Sequence, residues 1–408
     1  MFSLDSFYRI LQKNLFDPIR FNHFYFDDFG SVSPDDINLY SEIITYNNDN
    51  YNIDQVIGWI LFYDQEPMYQ QDLQNLQHVP TQLQAWEEHL VKNAYSDSLS
   101  PFAPTVTLFA NSEHSQIKEN FLKNFTYYQD WYYFFHGFAA LDWYKNIEYL
   151  PLVRTSSKVF ICFNNLFTEK RSYRLNLVAR LLDKNLQDYG YISLGQHNQK
   201  ERIKQELFSE ACLLSKDTKK LVYKNLMQDS HQLVIDTEEH SGFLSADDDL
   251  DVLTQAMFHV VTETVYYDEK LHLTEKIFKP IVARRPFFLV AAPGNLAYLK
   301  SYGFKTFDQW IDESYDLEPD SDQRVIKIVN ELERLCQLDP AELEVMFEEM
   351  QQVLEYNFQW FYNGFKKHIV NELVDNFETC LARYNSTGKD SIDYRQLDFE
   401  LVKQRLAN

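Results

Sequence analysis

Three residues with complementary chemistry follow one another at Thr274, Glu275 and Lys276, in the stretch LTEKIFKPIVARRPFFLV. The pattern predicts a helix that Thr274 caps with its hydroxyl, and Pro280 is expected to kink it. A helix N-terminus attracts anions and Lys276 adds a full positive charge, whereas the Glu275 carboxylate can accept hydrogen bonds from two hydroxyls. The triplet therefore suits a nucleotide with its phosphates on Lys276 and its ribose on Glu275. The alternative is an ordinary charged capping turn.

Further polar residues follow two other apolar runs. Asn164 comes just after KVFICF, and Arg171 and Arg174 lie three residues apart, on one face of the helix predicted next. The guanidinium fork matches phosphate oxygens, so one of these arginines is a candidate phosphate ligand, unless they form a solvated basic face. Glu263 ends the run AMFHVVT, where its carboxylate can bind ribose or sugar hydroxyls or form a strand-end ion pair.

Apolar runs that alternate with helix-period stretches predict the elements that must position these residues. In the first part of the chain the runs VIGWILFY, TVTLFA and WYYFF end in polar clusters, which contain Asp64 with Glu66, Glu113, and His136 respectively. Continuous apolar runs of this kind indicate buried parallel strands. Ligands of open α/β sheets bind at the carboxyl ends of the strands, which is where these clusters fall.

The strand and helix pattern begins again near residue 156 and changes to helix-period sequence after residue 323. We therefore expect an α/β protein of two Rossmann-like, doubly wound domains, 1–155 and 156–340. C-terminal helices over 341–408 are expected to pack back across the domains. Only 10 glycines occur, and none forms a dinucleotide fingerprint or a P-loop, which disfavours nicotinamide oxidoreductases and P-loop NTPases.

The net charge and the cysteine content further limit the classes of protein to which the chain can belong. The chain has 38 Lys and Arg against 61 Asp and Glu, and a net charge of -23 repels nucleic acid at long range. The four cysteines form no C-x-x-C pair, which fits a reduced, intracellular setting. No apolar stretch reaches about 18 residues, so no membrane span is expected. The acidic stretch SADDDLDVL precedes a helical pattern and favours an acidic cap, so no metal site is predicted.

The predicted architecture resembles the two-domain glycosyltransferase fold called GT-B. The segment LTEKIFKPIVARRPFFLV also resembles the donor-binding segment of the α-1,3-fucosyltransferases and the exostosin-like transferases. That resemblance implies that Lys276 contacts the donor phosphate and Glu275 the ribose. Fucosyltransferases also place an arginine after the first strand of this domain, which implies that Arg171 or Arg174 contacts the pyrophosphate.

The joint set DQEP, NSEHS, FFHG and TEK resembles glycosyltransferases encoded by tailed phages and some bacteria, over most of the chain. It implies transfer of a sugar from a UDP- or GDP-sugar to a hydroxyl, with inversion expected and no cofactor required. An inverting enzyme needs one base beside the acceptor hydroxyl. Glu66 or Glu113 is favoured for this role, and Asp64, His114 and His136 are the other candidates.

The acceptor stays open between a carbohydrate chain and hydroxymethylcytosine in phage DNA, and the acidic charge argues against DNA. A cytoplasmic location is expected, in the host cytoplasm if a phage encodes the chain. The alternative function is that of a catalytically inactive binding protein with the same fold, which acts through its acidic surface.

Overall fold

The computed structural model describes most of the chain. The described residues are 10–11, 21–25, 58–63, 67–70, 107–126, 128–147, 156–195, 199–228, 233, 253–267, 269–386 and 397–407. The candidate bases Asp64 and Glu66 and the acidic run 247–251 lie outside them. The chain divides into two compact units, the first comprising Met1–Asp142 with Lys366–Asn408 and the second Trp143–Phe365.

The first unit contains a sheet of four parallel strands in the order β1-β2-β3-β5. Its elements are β1 (Phe21–Tyr25), β2 (Gly58–Tyr63), β3 (Thr107–Asn111), the two-residue strand β4 (His114–Ser115), helix α1 (Gln116–Asn124), β5 (Tyr128–Tyr132) and helix α2 (Phe135–Trp143). The parallel pairing agrees with the predicted α/β class. The carboxyl ends of these four strands consequently share one edge of the sheet.

The predicted strand WYYFF is wrong in its second half. The strand β5 ends at Tyr132, and α2 begins at Phe135, so His136 is the second residue of a helix instead of following a strand. The helix α2 is buried almost all round, including its alanines and Leu141. A helix without a polar face has no amphipathic period, which is why its first residues resemble a buried strand in sequence.

The helix α10 (Lys366–Ser386) belongs to the first unit and packs on β5. The Trp131 indole donates to the carbonyl of Leu373 at 3.1 Å, and its ring lies 4.9 Å from that of Phe377. The Asn376 amide donates to the carbonyl of Tyr132 at 2.9 Å. The chain therefore returns to its first sheet, and this division differs from the predicted boundaries at 155 and 340, because the apolar stripe of α10 covers strands far back in the sequence.

The second unit contains another four-stranded parallel sheet, in the order β10-β8-β6-β7. Its strands are β6 (Lys158–Cys162), β7 (Gly190–Ile192), β8 (Ala256–Thr262), the two-residue β9 (Lys270–Leu271) and β10 (Phe287–Val290). In the central strand β8, His259 lies opposite Ile161 on one side and Phe287 on the other. The predicted second α/β region is thus present in this unit as a parallel sheet with helices.

Helices connect and follow these strands. They are α3 (Tyr173–Asp183), α4 (Gln199–Phe208), α5 (Lys216–Val222), α6 (Phe278–Val282), α7 (Asn295–Ser301), α8 (Ser321–Cys336), α9 (Pro340–Gln359) and, in the first unit, α11 (Phe399–Ala407). Short 3₁₀ turns span Glu169–Arg171, Leu186–Asp188, Glu275–Ile277 and Glu313–Leu317, and π turns span Tyr223–Gln228 and Trp360–Phe365. The sequence DPAE starts α9 with a capping box, in which Asp339 and Glu342 bond each other's backbone and Pro340 needs no donor.

Among the described residues, none of the helices has both the length and the apolar character needed to cross a membrane. All four cysteines are buried as free thiols. Burial raises the pKa of the Cys162 thiol to about 12, so this side chain acts as a small apolar group in the sheet.

We expect Phe377→Ala to lower the free energy of unfolding of the first unit by about 3–5 kcal/mol, because it opens a cavity between α10 and β5. The matched control is Glu378→Ala, which changes the next, exposed residue of the same helix and should cost less than about 0.5 kcal/mol. Urea denaturation followed by tryptophan fluorescence measures both, since Trp131 lies beside Phe377. Equal losses in the two variants would contradict the packing of α10 on the sheet.

A second prediction concerns His259, which is buried in β8 and whose Nε2 bonds the carbonyl of Leu253 at 2.7 Å. Burial lowers the pKa of His259 to about 4. Its contribution to stability is therefore complete above about pH 6.5, the unfolded value, and is lost as the pH falls towards 4, to a total of about 3 kcal/mol. Comparing unfolding free energies at pH 7 and pH 4 for His259→Gln and for the exposed-site control His368→Gln checks this. Only His259→Gln should reduce the loss of unfolding free energy between pH 7 and pH 4.

Candidate functional site

The carboxylate of Glu263 lies at the carboxyl end of the central strand β8 and is fully buried. It accepts a hydrogen bond from the Thr274 hydroxyl at 2.6 Å and one from the Thr274 amide at 3.2 Å. Burial raises the pKa of Glu263, and the Lys276 charge and the two Thr274 bonds only partly oppose this. The end of β8 and the turn that begins at Thr274 are therefore joined by one side chain, and Glu263 lies at the strand end as predicted.

The Thr274 hydroxyl also organises the turn that follows it. It accepts the Lys276 amide at 3.4 Å and the Lys276 Nζ at 3.1 Å, and the same Nζ lies 3.1 Å from a carboxylate oxygen of Glu275. Threonine therefore caps this turn as the sequence predicts. All three residues of the predicted triplet meet around one lysine nitrogen.

The helix behind the triplet is shorter than predicted. A 3₁₀ turn over Glu275–Ile277 precedes α6, which has five residues. Pro280 therefore lies in the first turn of α6, where its missing N–H has no intrahelical role. So short a helix contributes little dipole, and the positive charge of the turn comes from Lys276.

Exposure differs sharply within the triplet. The side chain of Lys276 is 29% exposed, whereas that of Glu275 is 8% exposed. The ammonium thus contacts the buried Glu275 carboxylate directly, and its charge acts on the buried Glu263 carboxylate, where it partly opposes the rise in pKa caused by burial. Thr274 and Glu275 engage two of the three N–H donors of Lys276 Nζ, so a phosphate can take the third donor or replace Glu275 as a partner.

Arg174 does not fit its predicted role as a phosphate ligand. Its buried guanidinium donates to the carbonyls of Leu166 at 2.7 Å, Thr262 at 2.8 Å and Glu263 at 3.2 Å. The Tyr173 hydroxyl donates to that same Glu263 carbonyl at 2.6 Å. The guanidinium of Arg174 is thus bonded to backbone carbonyls, and it stabilises the end of β8, from which the Glu263 side chain extends.

Arg171 is the remaining arginine candidate of this region. It ends the 3₁₀ turn Glu169–Arg171, whereas α3 begins only at Tyr173, so the two arginines do not share one helix face as predicted. Arg171 is half-buried, and its charge is felt at the Tyr173 hydroxyl. It therefore stays a candidate phosphate ligand at the same side of the sheet.

Asn164 lies two residues beyond β6 and is almost fully buried. Its amide nitrogen donates to the carbonyl of Ser193 at 3.2 Å and to the Cys162 sulfur at 3.3 Å. The side chain thus links the loops that follow β6 and β7. The amide nitrogen is thus engaged within the fold. Only the Oδ1 atom, which has no partner among the described residues, remains for the predicted contact with a ligand.

The candidate bases of the first unit have different environments. The Glu113 carboxylate is buried, accepts the Met68 amide at 2.7 Å and is hydrogen-bonded by the Ser115 hydroxyl. His114 stacks on Tyr132 at 4.1 Å, and burial, with a smaller effect of Lys118, lowers its pKa to about 4. Glu113 thus anchors a loop, and His114 is neutral and a weak base near pH 7.

One residue of the second unit was not anticipated from the sequence. Tyr144 is buried, and its hydroxyl has no hydrogen-bond partner in the described part of the chain. Burial, followed by the charges of Glu275, Tyr362 and Glu263, raises its pKa well above the ordinary value. The surrounding sequence, LDWYKN, contains no motif that marks this tyrosine, so only the fold brings it near the carboxylates.

No protein-family model, curated protein or solved structure matches the chain. A functional assignment therefore rests on the residues of the site. Within the described ranges, no three His, Cys, Asp or Glu side chains form a group that could hold a metal ion.

Replacing the two arginines separates their roles. Arg174→Met leaves buried carbonyls unpaired at the end of β8, so it should lower the free energy of unfolding by about 3 kcal/mol or more. Arg171→Met, at a half-buried position, should lower it by less than about 1 kcal/mol. Chemical denaturation of both variants measures the difference. A stability of Arg174→Met equal to that of the wild type would contradict the bracing role.

Proposed function

We propose that the protein is a glycosyltransferase that moves a sugar from a nucleoside diphosphate sugar to a hydroxyl acceptor, and that its second unit binds the nucleotide. One observation carries the proposal. A partly exposed ammonium, that of Lys276, lies 3.1 Å from the buried Glu275 carboxylate and 3.1 Å from the Thr274 hydroxyl, which is itself bonded to the buried Glu263 carboxylate at the carboxyl end of a parallel sheet. That edge is where open α/β sheets bind ligands, and the groups match a diphosphate and a diol.

Donor binding exchanges partners inside the triplet. The phosphates take Lys276 Nζ from Glu275, and the freed Glu275 oxygens accept ribose hydroxyls. Thr274 keeps its bonds to Glu263 and so holds the turn in place during the exchange. Arg171 is the second cation proposed for the diphosphate.

In the reaction, the acceptor oxygen attacks the anomeric carbon of the donor sugar, and the bond from that carbon to the diphosphate oxygen breaks. Lys276 and Arg171 stabilise the charge that develops on the leaving diphosphate. A base in the first unit takes the proton of the acceptor hydroxyl, and the proposed outcome is inversion. Because Glu113 is engaged by Met68 and Ser115, Glu66 is the base that we favour.

The favoured acceptor is a carbohydrate. A net charge of -23 opposes the approach of a nucleic acid, so hydroxymethylcytosine DNA is the less favoured acceptor. UDP- or GDP-sugars are the proposed donors, with no cofactor required, and the cytoplasm is the proposed location.

Nucleotide binding tests the proposal directly. At a concentration of UDP or GDP about 100 times its dissociation constant, the protein should gain about 2.7 kcal/mol of stability, visible as a rise in melting temperature. Lys276→Ala should weaken nucleotide binding at least about tenfold, because it removes the cation that contacts the phosphates. The matched control, Lys279→Ala, removes the same charge three residues later and should retain binding.

Two results would redirect the assignment. Failure of every UDP- and GDP-sugar to raise the melting temperature would contradict the transferase and favour an inactive binding protein that acts through its acidic surface. Equal binding by Lys276→Ala and the wild type would contradict the role of the triplet. Where one donor binds, transfer assays with oligosaccharides and with hydroxymethylcytosine DNA identify the acceptor.

A further inference from the structure

Three tyrosines form a cluster beyond the carboxyl end of β8, and only one of them reaches the surface. Tyr173 and Tyr266 stack with ring centroids 4.0 Å apart and planes at 15°, and each is 1% exposed. Tyr267 lies edge-to-face with both, 5.3 Å from Tyr266 and 6.2 Å from Tyr173 between centroids, and it is half-buried. The contacts proposed above for the phosphates and the ribose do not use this partly exposed ring.

Both faces of the Tyr266 ring are occupied, which fixes how Tyr267 meets it. Tyr173 covers one face, and the Arg324 guanidinium covers the other, with its Cζ 4.2 Å from the ring centroid. Since the planes of Tyr266 and Tyr267 are at 86°, an edge of Tyr266 points at a face of Tyr267. The exposed part of the Tyr267 ring therefore lies on its other face and its rim.

Hydrogen bonds hold the support beneath Tyr267 in place. The Tyr266 hydroxyl donates to the carbonyl of Ser321 at 2.6 Å, and Arg324 donates to the Tyr266 carbonyl at 2.7 Å. The Tyr267 hydroxyl lies 3.1 Å from the hydroxyl of Ser172. The ring is thus fixed before a ligand arrives, so stacking a flat group on it costs little side-chain freedom.

The tyrosine cluster adjoins the groups proposed for the donor. The Tyr173 hydroxyl donates to the Glu263 carbonyl at 2.6 Å, so a single side chain separates Tyr267 from Glu263. Ser172, which is bonded to the Tyr267 hydroxyl, directly follows Arg171, the second cation proposed for the diphosphate. A cation and a flat aromatic face therefore occur together at the carboxyl edge of one sheet, where they match the anionic and the aromatic ends of a nucleotide.

We propose that the nucleobase of the donor stacks on the exposed face of Tyr267. This inference rests on the proposed function and deepens it by naming the contact of the base. Every base has a π-face, so stacking on a side-chain ring strengthens binding without selecting one base. Tyr267 thus acts on the base, whereas Lys276 acts on the phosphates and Glu275 on the ribose.

The experiment compares Tyr267→Leu, which removes the aromatic face, with Tyr267→Phe, which keeps the face and removes the bond to Ser172. The matched control is Tyr189→Leu, because Tyr189 is 44% exposed and precedes β7, at the opposite edge of the same sheet. Melting temperatures and dissociation constants are measured on the full chain with UDP, GDP and pyrophosphate. If UDP binds, 5,6-dihydro-UDP is added, because its base keeps the hydrogen-bonding groups of uracil but is neither aromatic nor flat.

Tyr267→Leu should weaken nucleotide binding about tenfold and leave pyrophosphate binding unchanged, because only the nucleotide carries a base. Tyr267→Phe and Tyr189→Leu should bind the nucleotide as the wild type does. The wild type should bind UDP several-fold more tightly than dihydro-UDP, and Tyr267→Leu should lose this preference. If Tyr267→Leu does not fold, Tyr267→Met removes the face with a side chain that adapts to the space.

Other results overturn the inference and are separable from failure of the proposed function. Equal weakening of nucleotide and pyrophosphate by Tyr267→Leu would make the ring a support of the fold alone. Equal affinity of the wild type for UDP and dihydro-UDP would exclude stacking. If Lys276→Ala abolishes nucleotide binding and Tyr267→Leu does not alter it, the inference fails and the transferase proposal stands. If the wild type binds neither UDP nor GDP, both fail together.

Discussion

The bond between the Glu263 carboxylate and Thr274 is the interaction on which the rest of the candidate site depends. The backbone of Glu263 is fixed on both sides, because its amide donates to the carbonyl of Val290 at 3.0 Å and its carbonyl accepts from Tyr173 and Arg174. Its side chain then fixes Thr274, and Thr274 fixes the lysine that follows. Two hydrogen bonds of this buried carboxylate thus join the turn to the end of β8. Burial raises the pKa of Glu263, because desolvation disfavours its charged form more than Lys276 and Thr274 favour it.

The candidate site of the second unit contains few cations, and Arg174 and Lys276 differ in their contacts because Arg174 is buried and Lys276 is partly exposed. Arg174 is buried, so its donors must be satisfied inside the protein, and three backbone carbonyls do this. Lys276 is partly exposed and can exchange one partner for another at small cost. The buried Arg174 therefore stabilises the end of β8, whereas the partly exposed Lys276 is accessible to a ligand. On the proposed function, such a division would let an acidic chain bind a diphosphate without a large basic surface.

The sequence predicted features that depend on local chemistry. The parallel strands, the Thr274 cap and the position of Glu263 at a strand end follow from apolar runs and capping preferences, which act within a few residues. Features that depend on distant contacts were missed. The packing of α10 on β5 joins residues more than 200 positions apart, and the carbonyls that engage Arg174 come from the loop after β6 and from the end of β8. The helix α2 was taken in part for a strand because its uniform burial removes the period that distinguishes the two structures.

The unpaired hydroxyl of Tyr144 is a further feature that the sequence could not predict. A sequence motif records side chains that are placed together by local structure, but an unpaired hydroxyl is defined by the absence of a partner, which only the folded chain reveals. Both it and the Glu263 carboxylate are polar groups whose burial opposes folding, and both lie within electrostatic reach of Glu275. Buried polar atoms without a partner among the described residues also occur elsewhere in this unit, at Ser156 and Gln187. Glu263 and Tyr144 differ in one respect, because Thr274 satisfies the Glu263 carboxylate with two hydrogen bonds, whereas the Tyr144 hydroxyl has none among the described residues, so only Glu263 is part of the hydrogen-bonded arrangement around Lys276.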